Sequence, residues 1–140
     1  MVADHERRKK QATIEYVNSV KVKYRPIAEK LNQKFGERTI INIDSIDDVL
    51  KEDITEILST LEHLAVGINS GVYELKILDR MSGTYFVNVF EKLSPYIRAA
   101  RRQTDRRRLY YEFEEMVEDI RRMRSLDAKR IRQPGNIRHS

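Results

Sequence analysis

Glu62 is the polar residue best placed to do chemistry. It lies in the stretch 54–71, whose apolar residues Ile54, Ile57, Leu58, Leu61, Leu64, Ala65 and Ile68 recur at steps of three and one. That spacing forms one buried stripe on an α-helix and cannot be laid on one face of a strand. On this helix Glu62 falls about 110° from the centre of the stripe, on the flank that carries Asn69 two turns on. A carboxylate at such a boundary can be half-buried and held by a donor from another helix, with Arg98, Arg101 and Tyr96 as candidates. Acid–base catalysis needs a second group placed beside the first, and the sequence places none. Glu62, Asn69 and Arg98 are therefore read as structural polar positions, and no catalytic residue is assigned.

Other chemistries find less support. His63 points away from the stripe, and His5 and His139 sit near the two ends, so no pair has the spacing of metal ligands. Asp44, Asp47, Asp48, Glu52, Asp53 and Glu56 are dense, but they lack the alternation around a central glycine that a calcium loop needs. A helix cap and a solvated face account for them. The five glycines form no phosphate-cradling loop, the serines lack a nucleophile-elbow context, and there is no cysteine. No cofactor is expected, and the chain is read as non-enzymatic. The strongest charge feature is the run 98–108, in which Arg101, Arg102, Arg106, Arg107 and Arg108 could contact phosphates, with Tyr110 and Tyr111 able to stack on bases. Glu112, Glu114, Glu115, Glu118 and Asp119 follow at once, and pairing within the fold or across a subunit interface is the preferred reading of the arginines.

The elements that position these residues are all helical. Residues 4–35 carry Val17, Val20, Tyr24, Ile27, Leu31 and Phe35 at helical steps, with a kink or break expected near Tyr24–Arg25 because Pro26 removes an amide. The first ten residues are expected to fray. Residues 39–43 read as an extended connector, and Asp44 or Ser45 as the cap of a helix over about 46–70, with Ser45 and Asp48 resembling a capping box. Gly71 is placed to end that helix in a left-handed conformation. Leu75, Leu78, Tyr85, Phe86, Val89, Phe90 and Leu93 continue the pattern across a possible break at Ser82–Gly83, and Pro95 could begin a new segment. Leu109, Phe113, Met116, Ile120 and Met123 mark a heptad stripe over 105–124, with Glu118 able to pair with Arg122. The expected fold is all-α: an irregular bundle of four to six helices around the helix 46–70, with residues 1–124 as one domain and 125–140 as a mobile basic tail.

Length suits one domain with a real core, and the 40% apolar content is arranged periodically enough to exclude disorder. No run approaches the roughly 18 apolar residues of a membrane span, and the basic N-terminus has no apolar region behind it, so a cytoplasmic location is expected. Charge is segregated. Residues 1–36 hold nine Lys/Arg and four Asp/Glu, residues 37–79 hold three and ten, and residues 98–140 hold thirteen and seven. Basic ends and an acidic middle suit an acidic partner, nucleic acid included, or the pairing of two subunits. Tyr16, Tyr110, Tyr111 and Val66 lie off the main stripes as surplus apolar surface, which also suits self-association.

Ile57, Leu58, Leu61, Glu62, Ala65, Gly67, Ile68 and Gly71, followed by Leu78 and by Tyr96, Ile97 and Arg98, form a pattern that resembles a bacterial and phage helical family known as domain of unknown function number forty-seven sixty. The likeness spans roughly residues 54–118. It implies a helical fold and carries no activity across. It raises Glu62, Gly67, Gly71 and Arg98 as positions that matter to the domain, with Gly67, opposite Glu62, admitting a close helix approach. Many members carry a membrane-spanning helix ahead of the domain, and this sequence offers no such run. The expected function is a non-enzymatic interaction or regulatory module of a bacterium or phage that self-associates or binds a protein partner. The alternative is nucleic-acid binding through 98–108.

Overall fold

The computed structural model describes residues 2–36 and 43–132. Four α-helices make up almost all of it: α1 (Val2–Phe35), α2 (Asp48–Asn69), α3 (Leu75–Thr104) and α4 (Tyr111–Arg132), with a 3-10 turn at Ile43–Ser45. Among the described residues there is no strand. Helices α1 and α4 each pack against both α2 and α3, which makes the fold the all-α bundle expected from periodicity. Every apolar residue of the α2 stripe is buried, with Ile54, Ile57, Leu58, Leu64 and Ala65 wholly out of solvent. Val17, Val20, Tyr24, Ile27 and Leu31 supply the matching face of α1, and Phe113, Met116, Val117 and Ile120 that of α4.

Helix α1 begins at Val2, so the polar residues expected to fray form its first turns, and it runs through Pro26 unbroken. Pro26 is exposed, so the carbonyl that loses its amide partner faces water and the helix need not break. Pro95 likewise lies inside α3 instead of opening a new segment. The break in α3 comes where the Ser82–Gly83 pair predicted it: Ser82 leaves the helical region at φ −157°, ψ 24°. The start of α2 corrects the expected cap. Ile46 is buried ahead of the helix, and the cap is Asp47, whose Oδ1 accepts from the Leu50 amide at 2.8 Å, not Asp44 or Ser45. The connector 39–43 lies outside the described residues except for Ile43, which belongs to the 3-10 turn. Residues 125–132 continue α4 where a mobile tail was expected, and the remainder of that tail lies outside the described residues. In α4, Glu118 pairs with Arg121, and Arg122 with Asp119, in place of the expected Glu118–Arg122 pair.

Past α2 the chain turns back on itself. Gly71 takes the left-handed conformation expected of it (φ 84°), and the Tyr73 amide bonds the Gly67 carbonyl at 3.0 Å. The Tyr73 ring then covers Gly67, where a Cβ would collide with it. A ring, and not a neighbouring helix, needs that missing side chain. Tyr73 meets Tyr16 of α1 at 5.0 Å between centroids, and buried Thr13 accepts from the Glu74 amide at 3.0 Å. The turn is thereby tied to α1.

Two expectations follow for stability. Leu61 is 1% exposed, so Leu61→Ala should cost about 2–5 kcal/mol by leaving a cavity, whereas Thr60→Ala should stay within about 0.5 kcal/mol. Urea melts of the two variants check this, and equal midpoints would contradict it. Burial, reinforced by Tyr85, pushes the Tyr24 phenol from 10.0 up to about 12. The fold favours the neutral phenol, so this contribution is complete below pH 10 and is lost as the pH climbs toward 12. Tyr24→Phe should flatten the alkaline limb of a stability–pH profile, and an unchanged limb would assign it to other groups.

Candidate functional site: the arginine turn

Helix α3 stops at Thr104 because Asp105 enters the left-handed region (φ 55°), which a short polar side chain tolerates. Helix α4 cannot start before Tyr111, because Tyr110 is left-handed too (φ 61°), an uncommon state for a bulky residue. Burial of the Tyr110 ring compensates, at 8% exposure. Leu109 therefore falls in the turn, and the stripe expected over 105–124 is helical only from Tyr111 onward.

This turn leaves α4 without a capping side chain of its own, and α2 provides one. Glu62 Oε2 accepts from the Glu112 amide at 3.2 Å, and Oε1 accepts from the Phe113 amide at 2.8 Å. These are the second and third amides of α4, the ones an N-cap side chain normally satisfies. The carboxylate also faces the positive end of the α4 dipole. Asn69 Nδ2, on the same flank of α2, donates to the Glu112 carbonyl at 3.1 Å and to its Oε1 at 3.0 Å. The expected partner of Glu62 from another helix thus exists, but it is backbone and not a side chain. Arg98 does not take part. It is exposed and donates to Ser94 at 2.6 Å.

Arg101 braces the turn from the other side. Its Nε donates to the Leu109 carbonyl at 2.8 Å, and its Nη2 lies 2.7 Å from Glu114 Oε1, an ion pair too bent to count as a hydrogen bond. Burial raises the Tyr110 phenol above its usual value, Tyr96 and Glu62 push it the same way, and Arg106 opposes them. Of the five arginines singled out in the sequence, only Arg101 finds a carboxylate. Arg102, Arg106, Arg107 and Arg108 are exposed with no ion pair among the described residues, so of the two expected kinds of pairing, within the fold or across a subunit interface, the first does not hold for these four. Arg108 lies over the Tyr111 ring at 4.3 Å. Tyr110 is buried and so not free to stack on a base, and one face of Tyr111 is taken by Arg108. Sequence reasoning missed the Leu109 carbonyl and the α4 amides, because a turn built on two left-handed residues without glycine leaves no mark in composition.

Glu62 uses both carboxylate oxygens on backbone amides, and His63 stands exposed beside it. Among the described residues no three His, Cys, Asp or Glu side chains are grouped to hold a metal. No helix among them is long and apolar enough to cross a membrane.

Removing the cap should loosen one place in particular. Glu62→Ala should cost about 0.5–2 kcal/mol, and the Glu112 and Phe113 amides should exchange with deuterium faster while those of α1 keep their protection. Unchanged exchange at these two amides would mean the carboxylate does not hold α4.

No curated protein and no solved structure matches the chain. The profile of one family does match, over residues 1–121, and so takes in α1 as well as the stretch 54–118 that suggested the likeness. The chain belongs to that family, described as Domain of unknown function (DUF4760).

Proposed function

We propose that this domain is a non-catalytic binding module whose working surface is the α3–α4 turn, and that its partner presents acidic side chains. One observation carries the reading: Arg102, Arg106, Arg107 and Arg108 are exposed and unpaired on a backbone that Glu62, Arg101 and buried Tyr110 hold in place. Some cations elsewhere in the bundle find carboxylates, as Arg121 does with Glu91 and Lys30 with Asp53, whereas these four neighbours do not. Four like charges gathered on one braced turn repel one another, and a partner's carboxylates relieve that repulsion without first having to order the loop. A second copy of the chain supplies such carboxylates, because Asp48 and Glu52 are exposed at the start of α2 with no ion pair among the described residues. Charge is then the argument for self-association. The apolar surplus is mostly absorbed within the chain, with Tyr110 in the core, Tyr16 against Tyr73, and Val66 alone well exposed at 44%.

Nucleic acid is the second reading, favoured by the same arginines as phosphate donors and weakened by the burial of Tyr110. One experiment separates the two. Light scattering at tens of micromolar should give a dimer or larger, and the double variant Arg106→Glu/Arg107→Glu should fall to a monomer with its helix content unchanged. A monomeric parent that binds duplex DNA with a steep salt dependence, about 0.9 in the logarithm per phosphate, would transfer the surface to nucleic acid. A monomer that binds neither would end the proposal.

A further inference from the structure

The break in α3 opens a second polar place, away from the arginine turn. Ser82 is 6% exposed, and its Oγ accepts from Lys21 Nζ of α1 at 2.9 Å. Lys21 is partly buried, lies 5.0 Å from the centroid of the Tyr85 ring, and has no carboxylate within ion-pair distance. Nearby, Arg124 of α4 donates through Nε at 3.1 Å and Nη2 at 2.9 Å to Asp79 Oδ1. Gly83 makes room for that pair, since a Cβ there would run into both side chains. Asp79 is thus neutralised by Arg124 and leaves Lys21 uncompensated. Arg80, on the rim, is exposed and has no ion pair among the described residues. All of these residues line one cleft of about 290 Å³.

The structure assigns this cleft, in our reading, as a binding site for a phosphate or a small phosphomonoester held by Lys21, Arg80 and the Ser82 hydroxyl. Three cations against one carboxylate leave a net charge that a dianion matches. A half-buried ammonium with a hydroxyl and a ring for company retains donors for an anion. The hydroxyl accepts from Lys21, so its own proton is left to donate. The donors come from two helices, Lys21 from α1 and Arg80 and Ser82 from α3 at its break, and such converging donors suit a tetrahedral group better than a flat carboxylate. The volume lies at the low end of ligand pockets, about 300–1,000 Å³, and so selects a small ligand. Free phosphate, a soluble monoester and a lipid headgroup share this chemistry.

The test is an amide-shift titration of the full chain at constant ionic strength with inorganic phosphate, glycerol phosphate and acetate, together with sedimentation on phosphatidic acid vesicles. Saturable shifts centred on Ser82, Gly83 and Tyr85 with phosphate, and not with acetate, are expected. Lys21→Met should weaken binding about tenfold or more, the loss of one charge-assisted hydrogen bond. Arg80→Gln should weaken it several-fold with no change in melting temperature, because Arg80 supports nothing in the fold. Arg106→Glu/Arg107→Glu should leave it untouched. Saturation by glycerol phosphate without vesicle binding assigns a soluble ligand, and vesicle binding lost in Arg80→Gln assigns a headgroup; both uphold the site. Shifts equal for phosphate and acetate, or unaltered in both Lys21→Met and Arg80→Gln, or lost only with the arginine-turn variant, would overturn it.

Discussion

The contact between the Glu62 carboxylate and the second and third amides of α4 is the constraint on which the arginine turn depends. A turn that finishes on left-handed, buried Tyr110 offers α4 no capping oxygen, and amides left bare at a packed helix start are costly. Hydrophobic burial supplies the larger energy. Phe113, Met116, Val117 and Ile120 are all wholly buried, each contributing about 1.5–3 kcal/mol, against about 1 kcal/mol for a cap. Burial decides which face of α4 meets the core. The carboxylate meets two particular amides, and so it fixes where α4 starts and where the arginine turn stands.

That division between energy and placement explains what the sequence could and could not convey. The stripes of α1 and α2 were legible because burial repeats with the helix period, and Ser82–Gly83 because small polar residues mark breaks. The cap was misplaced by a few residues, since three plausible oxygens precede α2 and the choice among them falls to Ile46, which must reach the core first. Pro26 and Pro95 misled because a proline's cost depends on whether the orphaned carbonyl meets water, a tertiary fact. Leu109 continued a heptad in the sequence, yet its place in the turn follows from Asp105 and Tyr110, whose conformations no spacing reveals. At the site the position of Glu62 was legible from the wheel, and its partner was not, because backbone amides carry no residue type.

Ion pairs follow the same logic. Arg121 with Glu91 and Arg124 with Asp79 join α4 to α3, while Lys23 with Glu56 and Lys30 with Asp53 join α1 to α2. Exposed pairs of this kind each contribute about 0.2–1 kcal/mol, too little to hold the bundle together. Their larger effect is to neutralise the seams, so that any cation left over stands out.

The lysines of α1 make the point within a single helix. Lys23 and Lys30 face α2 and meet carboxylates there. Lys21 faces the break in α3, where the nearest carboxylate, Asp79, is already bonded twice to Arg124. Residue type does not separate these three lysines, and helical phase does. Two residues along an α-helix turn the side chain by about 200°, so Lys21 cannot share the acidic neighbours of Lys23. The same arithmetic that builds the hydrophobic stripes thereby leaves one half-buried ammonium without a counter-charge, beside a serine that could not have met it had α3 run straight.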